Sequence, residues 1–306
     1  MYALLFMRIG RDASTHTNIV RLLGVCDEAE AADLFMVTEL VAGVNLSDLI
    51  RAHAHAPAAP PRAFSVRCRG LGDRLPAQGA LVACHDQVYL SASQVAHVSL
   101  SLASALHHLA DLAWVHCDVK SANVLVSSHW AVKLCDFGLA VRHDQRAVGK
   151  AFEGLQARPE TPSGLVRGVA GAGSAPRAGT SQGEEMQQGR QLGRPVAGSP
   201  GWAAPEILKG LAPQPRADVF SLGVVMWEML SAGQIPWHGK TSCQVRELVA
   251  RLKLTLHIPR AAVDHFPAPL IDTVRLCWTY DAALRPAAWR IETSLQHVLK
   301  ACQDAP

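Results

Sequence analysis

Four polar residues flank a predicted β-hairpin near the middle of the chain. Asp118, Lys120 and Asn123 precede one short apolar run, and Asp136 follows the next run, after a turn at residues 127–130. Because a hairpin brings its two ends together, we expect these side chains to converge. Burying such groups for structure alone would be costly. They suit phosphoryl transfer, which needs carboxylates for Mg²⁺, a base near the attacking hydroxyl and positive charge on the phosphate.

The elements around this hairpin are predicted to form a largely helical core. Apolar residues recur at steps of three and four between residues 95 and 112, as is typical of an amphipathic helix. The segment 218–233 is apolar nearly all round, so we expect it at the centre of the core. Residues 287–301 are predicted to form a final amphipathic helix. Residues 19–25 and 34–39 are predicted to form two short buried strands.

Composition and charge are those of a globular protein. The 306 residues are 49% hydrophobic and 18% charged, and a net charge of +3 is too small to indicate a nucleic-acid partner. No run reaches the roughly 18 apolar residues of a membrane span. The eight cysteines are scattered, which fits a reducing compartment. We therefore expect a cytoplasmic, intracellular protein without a membrane segment.

Two stretches differ in composition and periodicity from the rest of the chain. Residues 51–92 carry His-Ala-Pro repeats with little periodicity, and residues 143–197 have almost no large apolar side chains. Such sequences bury too little surface to offset the entropy of chain ordering. We interpret both as disordered surface insertions.

Taken in order, the motifs resemble those of the eukaryotic protein kinases. Within that family they look like those of the tyrosine-kinase-like serine/threonine kinases. His116-Cys-Asp-Val-Lys-Ser-Ala-Asn123 looks like the catalytic loop, and Asp136-Phe-Gly138 like the DFG motif. Gly198-Ser-Pro-Gly-Trp-Ala-Ala-Pro-Glu206 looks like the end of the activation segment. Arg285 resembles the late-helix arginine that pairs with the glutamate of that segment. Met36-Val-Thr-Glu-Leu40 resembles strand five and the hinge.

This resemblance implies an α+β, protein-kinase-like fold with a mainly helical large lobe and a truncated, small β lobe. Residues 1–40 would be the remnant of the small lobe, and residues 41–306 the large lobe with both insertions. The implied activity is that of a protein serine/threonine kinase, which transfers the γ-phosphoryl group of ATP to protein hydroxyls with the help of Mg²⁺. The implied partners are ATP and protein substrates that contain serine or threonine.

The resemblance also implies roles for the residues of the catalytic loop. Asp118 would be the base or the group that orients the hydroxyl, and Lys120 would support the transferred phosphate. Asn123 and Asp136 would hold Mg²⁺. Lys120, two residues after the aspartate, together with Ser199 before the Ala-Pro-Glu motif, is the pattern of serine/threonine kinases.

Four further residues are implied to contact the nucleotide. Leu125 would form the floor of the adenine pocket, and Thr38 would be the gatekeeper. The backbone of Glu39 and Val41 would hydrogen-bond the edge of the adenine ring.

The sequence departs from the family pattern in front of the hinge. Active kinases use a glycine-rich loop, a strand-three lysine and a helix-C glutamate. No lysine precedes Lys120, and only Gly10 and Gly24 precede the hinge. One explanation is an incomplete chain, and another is a catalytically inactive pseudokinase that acts as a scaffold or regulator. A third alternative is an unrelated hydrolase that uses Asp118 and Asp136 with a metal.

Two cysteines lie inside the motifs. Cys117 stands where most kinases have an arginine that receives a phosphate from the activation loop, so we expect loop phosphorylation not to be the main switch. Cys135 precedes Asp136 and faces the nucleotide site in the family. It is either a small packing residue or a thiol that reactive ligands can reach.

Overall fold

A computed structural model describes residues 15–26, 35–54, 82–84, 87–143 and 198–304. The described strands are β1 (Leu22–Cys26), β2 (Phe35–Thr38), β3 (Gly43–Asn45), β4 (Val82–Cys84), β5 (Gln87–Tyr89), β6 (Trp114–Val115), β7 (Val124–Ser127), β8 (Val132–Leu134) and β9 (Val141–Arg142). The described helices are α1 (Leu46–Ala54), α2 (Ala92–Asp111), α3 (Pro205–Leu208), α4 (Pro215–Leu230), α5 (Ser242–Arg246), α6 (Arg260–His265), α7 (Ala268–Cys277) and α8 (Ala288–Asp304). A 3₁₀ turn at Ser121–Asn123 and a π-helical turn at Glu247–Arg251 complete these elements.

Helix α4 is the centre of the helical core, as its sequence predicts. It is buried from Ala217 to Leu230 and packs against α2 and α7, while α8 lies along α2. The approach to α7 depends on Gly223, because a Cβ atom there would lie only 2.7 Å from the Cβ atom of Cys277. The described part of the chain therefore has the expected α+β architecture, with small antiparallel sheets beside a mainly helical lobe. Across the described part of the chain, no helix combines the length and apolar character needed to cross a bilayer.

Helix α2 precedes the segment that connects to the predicted hairpin. A capping box begins it: Ser91 Oγ accepts from the amide of Gln94 at 3.2 Å, and Gln94 Oε1 accepts from the amide of Ser91 at 2.8 Å. The helix ends at Asp111, and Ala113 then adopts a φ of 58°. This turn directs the chain into β6 and the loop that follows it.

The predicted hairpin is formed by β7 and β8, with β3 on the outer side of β7. Its register pairs Val124 with Leu134 and Leu125 with Lys133. Val124 and Leu134 are buried on the core face, whereas Leu125 and Lys133 are half-buried on the opposite face. The alternation therefore separates a packing face from a face that is available to a ligand.

Both predicted strands are present, as β1 and β2, and the structure pairs them in an antiparallel sheet. The prediction that they are buried is wrong. Leu23 is 56% exposed, and Met36 and Val37 are exposed as well. A short apolar run indicates a strand without telling which element covers it, and this sheet has little cover. The preceding residues Asn18 and Val20 attach it to β8 through two backbone hydrogen bonds with Leu134, at 2.8 and 2.9 Å.

The boundaries expected for the first insertion, residues 51–92, differ from the structure at both ends. Residues 51–54 complete α1, where His53 is buried and its Nδ1 lies 2.8 Å from the Leu49 carbonyl. At the other end, β4 pairs with β5, and Tyr89 of β5 is buried beside the rings of His265 and Phe266. Intervening residues 55–81 lie outside the described residues, as do 85 and 86. The second expected insertion, residues 143–197, lies outside them too, apart from His143.

Candidate active site

The loop before the hairpin is fixed by a carboxylate on the central helix. Asp218 Oδ2 accepts from the amide of His116 at 2.7 Å, and Asp218 Oδ1 accepts from the amide of Cys117 at 2.9 Å. Cys117 has a φ of 66°, a left-handed conformation that the surrounding contacts must stabilise. Burial raises the pKa of Asp218 to about 7, and the two amide hydrogen bonds oppose that shift. Helix α4 thereby sets the backbone of the loop.

Asp118 is the centre of the polar cluster that the sequence predicts. Lys120 Nζ lies 2.6 Å from Asp118 Oδ2 and 2.9 Å from Ser199 Oγ. Asn123 Nδ2 donates to the carbonyl and to Oδ2 of Asp118, at 2.9 and 3.1 Å. The amide of Ser199 donates to Asp118 Oδ1 at 3.2 Å. Both carboxylate oxygens are therefore held in one orientation, with an ammonium group beside them.

Asp136 lies next to this cluster at the other end of the hairpin. The amide of Cys135 donates to the carbonyl of Asn123 at 2.9 Å, which brings the start of the DFG motif to the catalytic loop. Asp136 has a φ of 63° and is exposed, and its Oδ1 accepts from the amide of Gly138 at 3.3 Å. The structure therefore brings all four predicted polar residues to one end of the hairpin.

The donor set near Asp136 fits a magnesium ion that is shared with phosphates. Among the described residues, no three His, Cys, Asp or Glu side chains converge on one point. Mg²⁺ commonly takes only one or two protein oxygen ligands and completes its shell with waters and substrate phosphates. The carboxylate of Asp136 and the amide oxygen of Asn123 meet that requirement.

A buried histidine, His116, links the catalytic loop to the DFG motif, and sequence reasoning gave it no role. Its Nδ1 lies 3.3 Å from the amide of Asp118, and its Nε2 lies 3.1 Å from the carbonyl of Cys135. Its ring packs 4.8 Å from that of Phe137. Burial lowers the pKa of His116 to about 4, so the ring is neutral at pH 7. These contacts require Nδ1 to accept and Nε2 to donate.

The residues predicted to contact the adenine ring lie in two places, on the hairpin and at or just after the end of β2. Leu125 is half-buried on the outer face of the hairpin, across from Lys133. Thr38 is exposed at the end of β2, and Val41 is half-buried beyond it. Glu39 Oε1 accepts from Lys133 Nζ at 2.7 Å, which ties the hinge to the hairpin.

Lys133 is the residue of this region that sequence reasoning missed. The only signal for it was a charged residue at an outward position of an otherwise apolar strand. The amide of Arg21 also donates to Glu39 Oε1, at 2.8 Å. Although burial acts in the opposite direction, these two hydrogen bonds lower the pKa of Glu39.

A second buried acid on α4, Glu228, joins the catalytic loop to the end of the activation segment. Glu228 Oε1 accepts from Ser121 Oγ at 2.8 Å, and Oε2 accepts from Trp202 Nε1 at 2.7 Å. Burial raises the pKa of Glu228 to about 7, against the effect of these hydrogen bonds. Asp218 and Glu228 thus support the two sides of the Asp118 cluster from one helix.

The predicted pair of Arg285 and Glu206 is confirmed. The guanidinium donates to both carboxylate oxygens of Glu206, at 2.7 and 3.1 Å, and to the carbonyl of Arg216 at 2.6 Å. The Arg285 side chain is fully buried. This bidentate pair fixes the residues that follow Ser199 against the helical core.

The two cysteines of the motifs are poor nucleophiles in this setting. Burial raises the pKa of Cys135 to about 11 and raises that of Cys117 further. Both thiols are therefore protonated at neutral pH, whereas reactive cysteines depend on the thiolate. Cys135 Sγ also lies 3.3 Å from the Asn123 carbonyl. These observations favour the packing interpretation of Cys135.

Comparison with known proteins gives a consistent result. The sequence matches the family described as protein tyrosine and serine/threonine kinase over residues 7–157 and 180–295. A probable serine/threonine-protein kinase, SIS8, of Arabidopsis thaliana is 28% identical over 187 residues, which are 61% of this chain and 13% of that protein. An Ack-related non-receptor tyrosine kinase of Caenorhabditis elegans is 29% identical over 212 residues, 68% of this chain and 16% of that protein.

A further relative covers more of the chain. The serine/threonine-protein kinase STY17 of Arabidopsis thaliana is 23% identical over 289 residues, which are 94% of this chain and 36% of that protein. The chain thus spans between 13% and 36% of the length of these three relatives. The relatives include kinases named for both serine/threonine and tyrosine. Since the family match extends over most of its residues, the chain belongs to the protein tyrosine and serine/threonine kinase family.

Proposed function

We propose that this domain is a protein serine/threonine kinase that transfers the γ-phosphoryl group of ATP to protein hydroxyls. The observation that carries the proposal is the arrangement around Asp118, where Lys120, Asn123 and Ser199 all contact one carboxylate group. Phosphoryl transfer relies on positioning and electrostatic stabilisation more than on covalent chemistry. A fixed carboxylate beside a fixed ammonium group supplies both.

Asp118 and Lys120 have complementary roles in the proposed reaction. The Asp118 carboxylate accepts the hydrogen bond of the incoming hydroxyl and aims its oxygen at the phosphorus. Lys120, 2.6 Å away, balances the charge of the transferred phosphoryl group. Transfer is direct and in line, without a phosphoenzyme. Mg²⁺ held by Asn123 and Asp136 would neutralise the phosphate charge.

We assign the adenine side to the outer face of the hairpin and to the hinge. Leu125 would contact the ring from below, with Thr38 beside the pocket. The amide of Glu39 already donates to the carbonyl of Arg21 at 2.9 Å. The groups that we assign to the adenine edge are therefore the Glu39 carbonyl and the Val41 amide.

The assignment to serine and threonine, rather than tyrosine, rests on Lys120 and Ser199. The lysine bridges Asp118 and Ser199, with its Nζ 2.9 Å from the serine hydroxyl. A lysine two residues after the aspartate, together with this serine, is the pattern that the family resemblance associates with serine/threonine acceptors. Because ATP and Mg²⁺ are supplied inside cells, the proposed reaction would take place in the cytoplasm.

The test combines nucleotide binding with transfer. Mg-ATP should raise the melting temperature of the chain. Transfer of radiolabelled phosphate to a generic protein substrate should fall about 10²–10⁴-fold in Asp118→Asn, which keeps the shape of the side chain but removes its charge. Phosphoamino-acid analysis should yield phosphoserine and phosphothreonine. If Asp118→Asn transferred phosphate as fast as the unaltered chain, the assignment of kinase activity to this site would be wrong. Phosphotyrosine as the product would contradict the assignment to serine and threonine.

A catalytically inactive binding domain is the second candidate. The observation that favours it is the exposure of β1 and β2, whose described side chains give the proposed adenine side little cover. A pseudokinase of this kind would act as a scaffold or regulator through the helical lobe. It predicts no transfer above that of Asp118→Asn, with or without a change in melting temperature on addition of Mg-ATP.

A further inference from the structure

Two lysines converge on one tyrosine on the surface of the helical lobe. Lys209 follows α3, and its Nζ lies 4.7 Å from the centre of the Tyr280 ring. Lys253 follows the π-helical turn, and its Nζ lies 5.0 Å from the same point. Since α3 packs against that turn, the two lysines belong to one surface.

The arrangement around Tyr280 is held in place from below. The Tyr280 hydroxyl donates to the carbonyl of Ala250 at 2.6 Å, which fixes the ring against the π-helical turn. Lys253 has a φ of 58°, a left-handed conformation that residues other than glycine adopt only when their surroundings impose it. The backbone at Lys253, and hence the point from which its side chain extends, is therefore set by the fold.

The positive charge of the two lysines is not neutralised within the described part of the chain, where neither lysine forms an ion pair with a carboxylate. The acids nearest to them in sequence are already engaged. Glu206 pairs with Arg285, and Glu247 pairs with Arg251. Asp281, which follows Tyr280, accepts from the amide of Ala283 at 2.9 Å and pairs with neither lysine. Two ammonium groups on one ring, neither of them paired with a carboxylate of the described residues, leave a site that favours negative charge.

Exposed leucines border the two lysines. Leu252 and Leu254, on either side of Lys253, are 48% and 47% exposed, and Leu211, two residues after Lys209, is 57% exposed. Apolar side chains that cluster beside an unpaired charge are typical of interaction surfaces. We call this surface the Tyr280 patch, defined by the residues Lys209, Leu211, Leu252, Lys253, Leu254 and Tyr280.

We propose that the Tyr280 patch binds an acidic segment of a protein substrate, in which Asp or Glu residues alternate with apolar ones. The inference rests on the proposed kinase function, because it assigns the partner as the substrate. Lys209 lies ten residues beyond Ser199, which contacts the Asp118 cluster. An extended chain of that length spans at most about 35 Å, so a segment bound at the patch can present a nearby hydroxyl to Asp118.

The test measures binding of a fluorescent peptide in which Glu and Leu alternate, by fluorescence anisotropy and without nucleotide. The double variant Lys209→Glu/Lys253→Glu should bind the peptide about tenfold more weakly, because attraction becomes repulsion. The matched control is Lys240→Glu/Lys300→Glu, which makes the same change in net charge at two other exposed lysines. The control should stay within about twofold of the unaltered chain.

Three results would overturn the proposal: no binding of the Glu-Leu peptide, equal losses in the two double variants, or equal binding of a Lys-Leu peptide. Affinity should also fall as salt rises from about 50 to about 200 mM. Failure here is separable from failure of the proposed function. Transfer to a generic substrate without peptide binding would contradict the role of the patch and leave the kinase activity standing. Peptide binding without any transfer would contradict the kinase activity and leave a site for acidic segments whose partner is not a substrate.

Discussion

The catalytic loop and the β1–β2 sheet are supported in opposite ways. The loop is held by Asp218 and Glu228, two buried acids on the central helix that accept hydrogen bonds from both of its ends. The β1–β2 sheet is exposed, with Leu23 and Met36 facing solvent. The groups proposed for catalysis thus belong to the core, whereas the hinge belongs to a thinly supported sheet.

Because of this difference, the two halves of the proposed site, the catalytic loop and the hinge, should respond differently to mutation. The sheet is connected to the hairpin through a bridge between Ile19 and Leu134 and through the pair of Lys133 and Glu39. Losing either contact should loosen the sheet locally. Changes in the core should instead lower the global free energy of unfolding.

The largest effect is expected from the buried ion pair. Arg285→Met should lower the free energy of unfolding by about 3–5 kcal/mol, because Glu206 would keep a largely buried charge without its partner. Chemical denaturation measures this. The control is Arg275→Met, whose partner Asp272 is exposed, and it should change stability by less than about 1 kcal/mol. Similar losses in both variants would mean that burial is not what makes the core pair important.

A pair of glycines tests packing in the two regions. Gly223→Ala should destabilise by about 1–3 kcal/mol, because its new Cβ would meet Cys277 at 2.7 Å and Trp278 at 2.9 Å. Gly24→Ala in β1 should cost almost nothing, since no atom of the described residues, apart from its chain neighbours, lies within 4 Å of the added Cβ. Thermal unfolding of both variants checks the contrast. A large loss for Gly24→Ala would show that β1 is packed more tightly than its exposure indicates.

The acid Glu228 predicts a dependence on pH. Burial raises its pKa from 4.5 to about 7, so the stability that it contributes is present below pH 4.5 and is lost as pH rises through about 7. Gln cannot ionise. The unfolding free energy of Glu228→Gln, relative to the unaltered chain, should therefore rise by on the order of 1–3 kcal/mol between pH 5 and pH 8. A difference that does not change with pH would show that Glu228 has an ordinary pKa.

The smallest and most local effect is expected at the hinge. Lys133→Met should remove the tie to Glu39 and cost at most about 1 kcal/mol, because the pair is partly open to water. Hydrogen exchange should accelerate in β1 and β2 while the core amides stay protected. Lys300→Met, at an exposed position of α8, is the control and should leave exchange unchanged. Faster exchange throughout the helical lobe would contradict a local role.

The sequence allowed the catalytic side to be predicted because its residues lie in short motifs. A hairpin joins Asp118 to Asp136 across few residues, so local patterns were sufficient to place them together. The tie between Glu39 and Lys133 joins residues 94 positions apart, and local patterns carry no information about such a contact. Exposure was missed for the same reason. The apolar run of β2 has the same sequence pattern whether or not another element covers the strand.

Amphipathic patterns were also only partly informative. The final helix is amphipathic, as predicted, and buries Ile291 and Leu295, but the apolar side chain of Trp289 is about half exposed. At the start of the first expected insertion, the repeats concealed the end of α1, where His53 is buried. Polar residues are absorbed into a core when a carbonyl such as that of Leu49 satisfies them, and composition does not report this.

The hydrogen bonds that Asp218 accepts come from main-chain amides rather than from side chains, so substitutions in the loop do not remove their donors. Every amino acid except proline carries the amide that Asp218 needs at positions 116 and 117. A different side chain at position 117 can therefore keep both hydrogen bonds, provided that it tolerates the left-handed backbone there. The position of the loop thus depends less on the identity of its side chains than a contact between two side chains would.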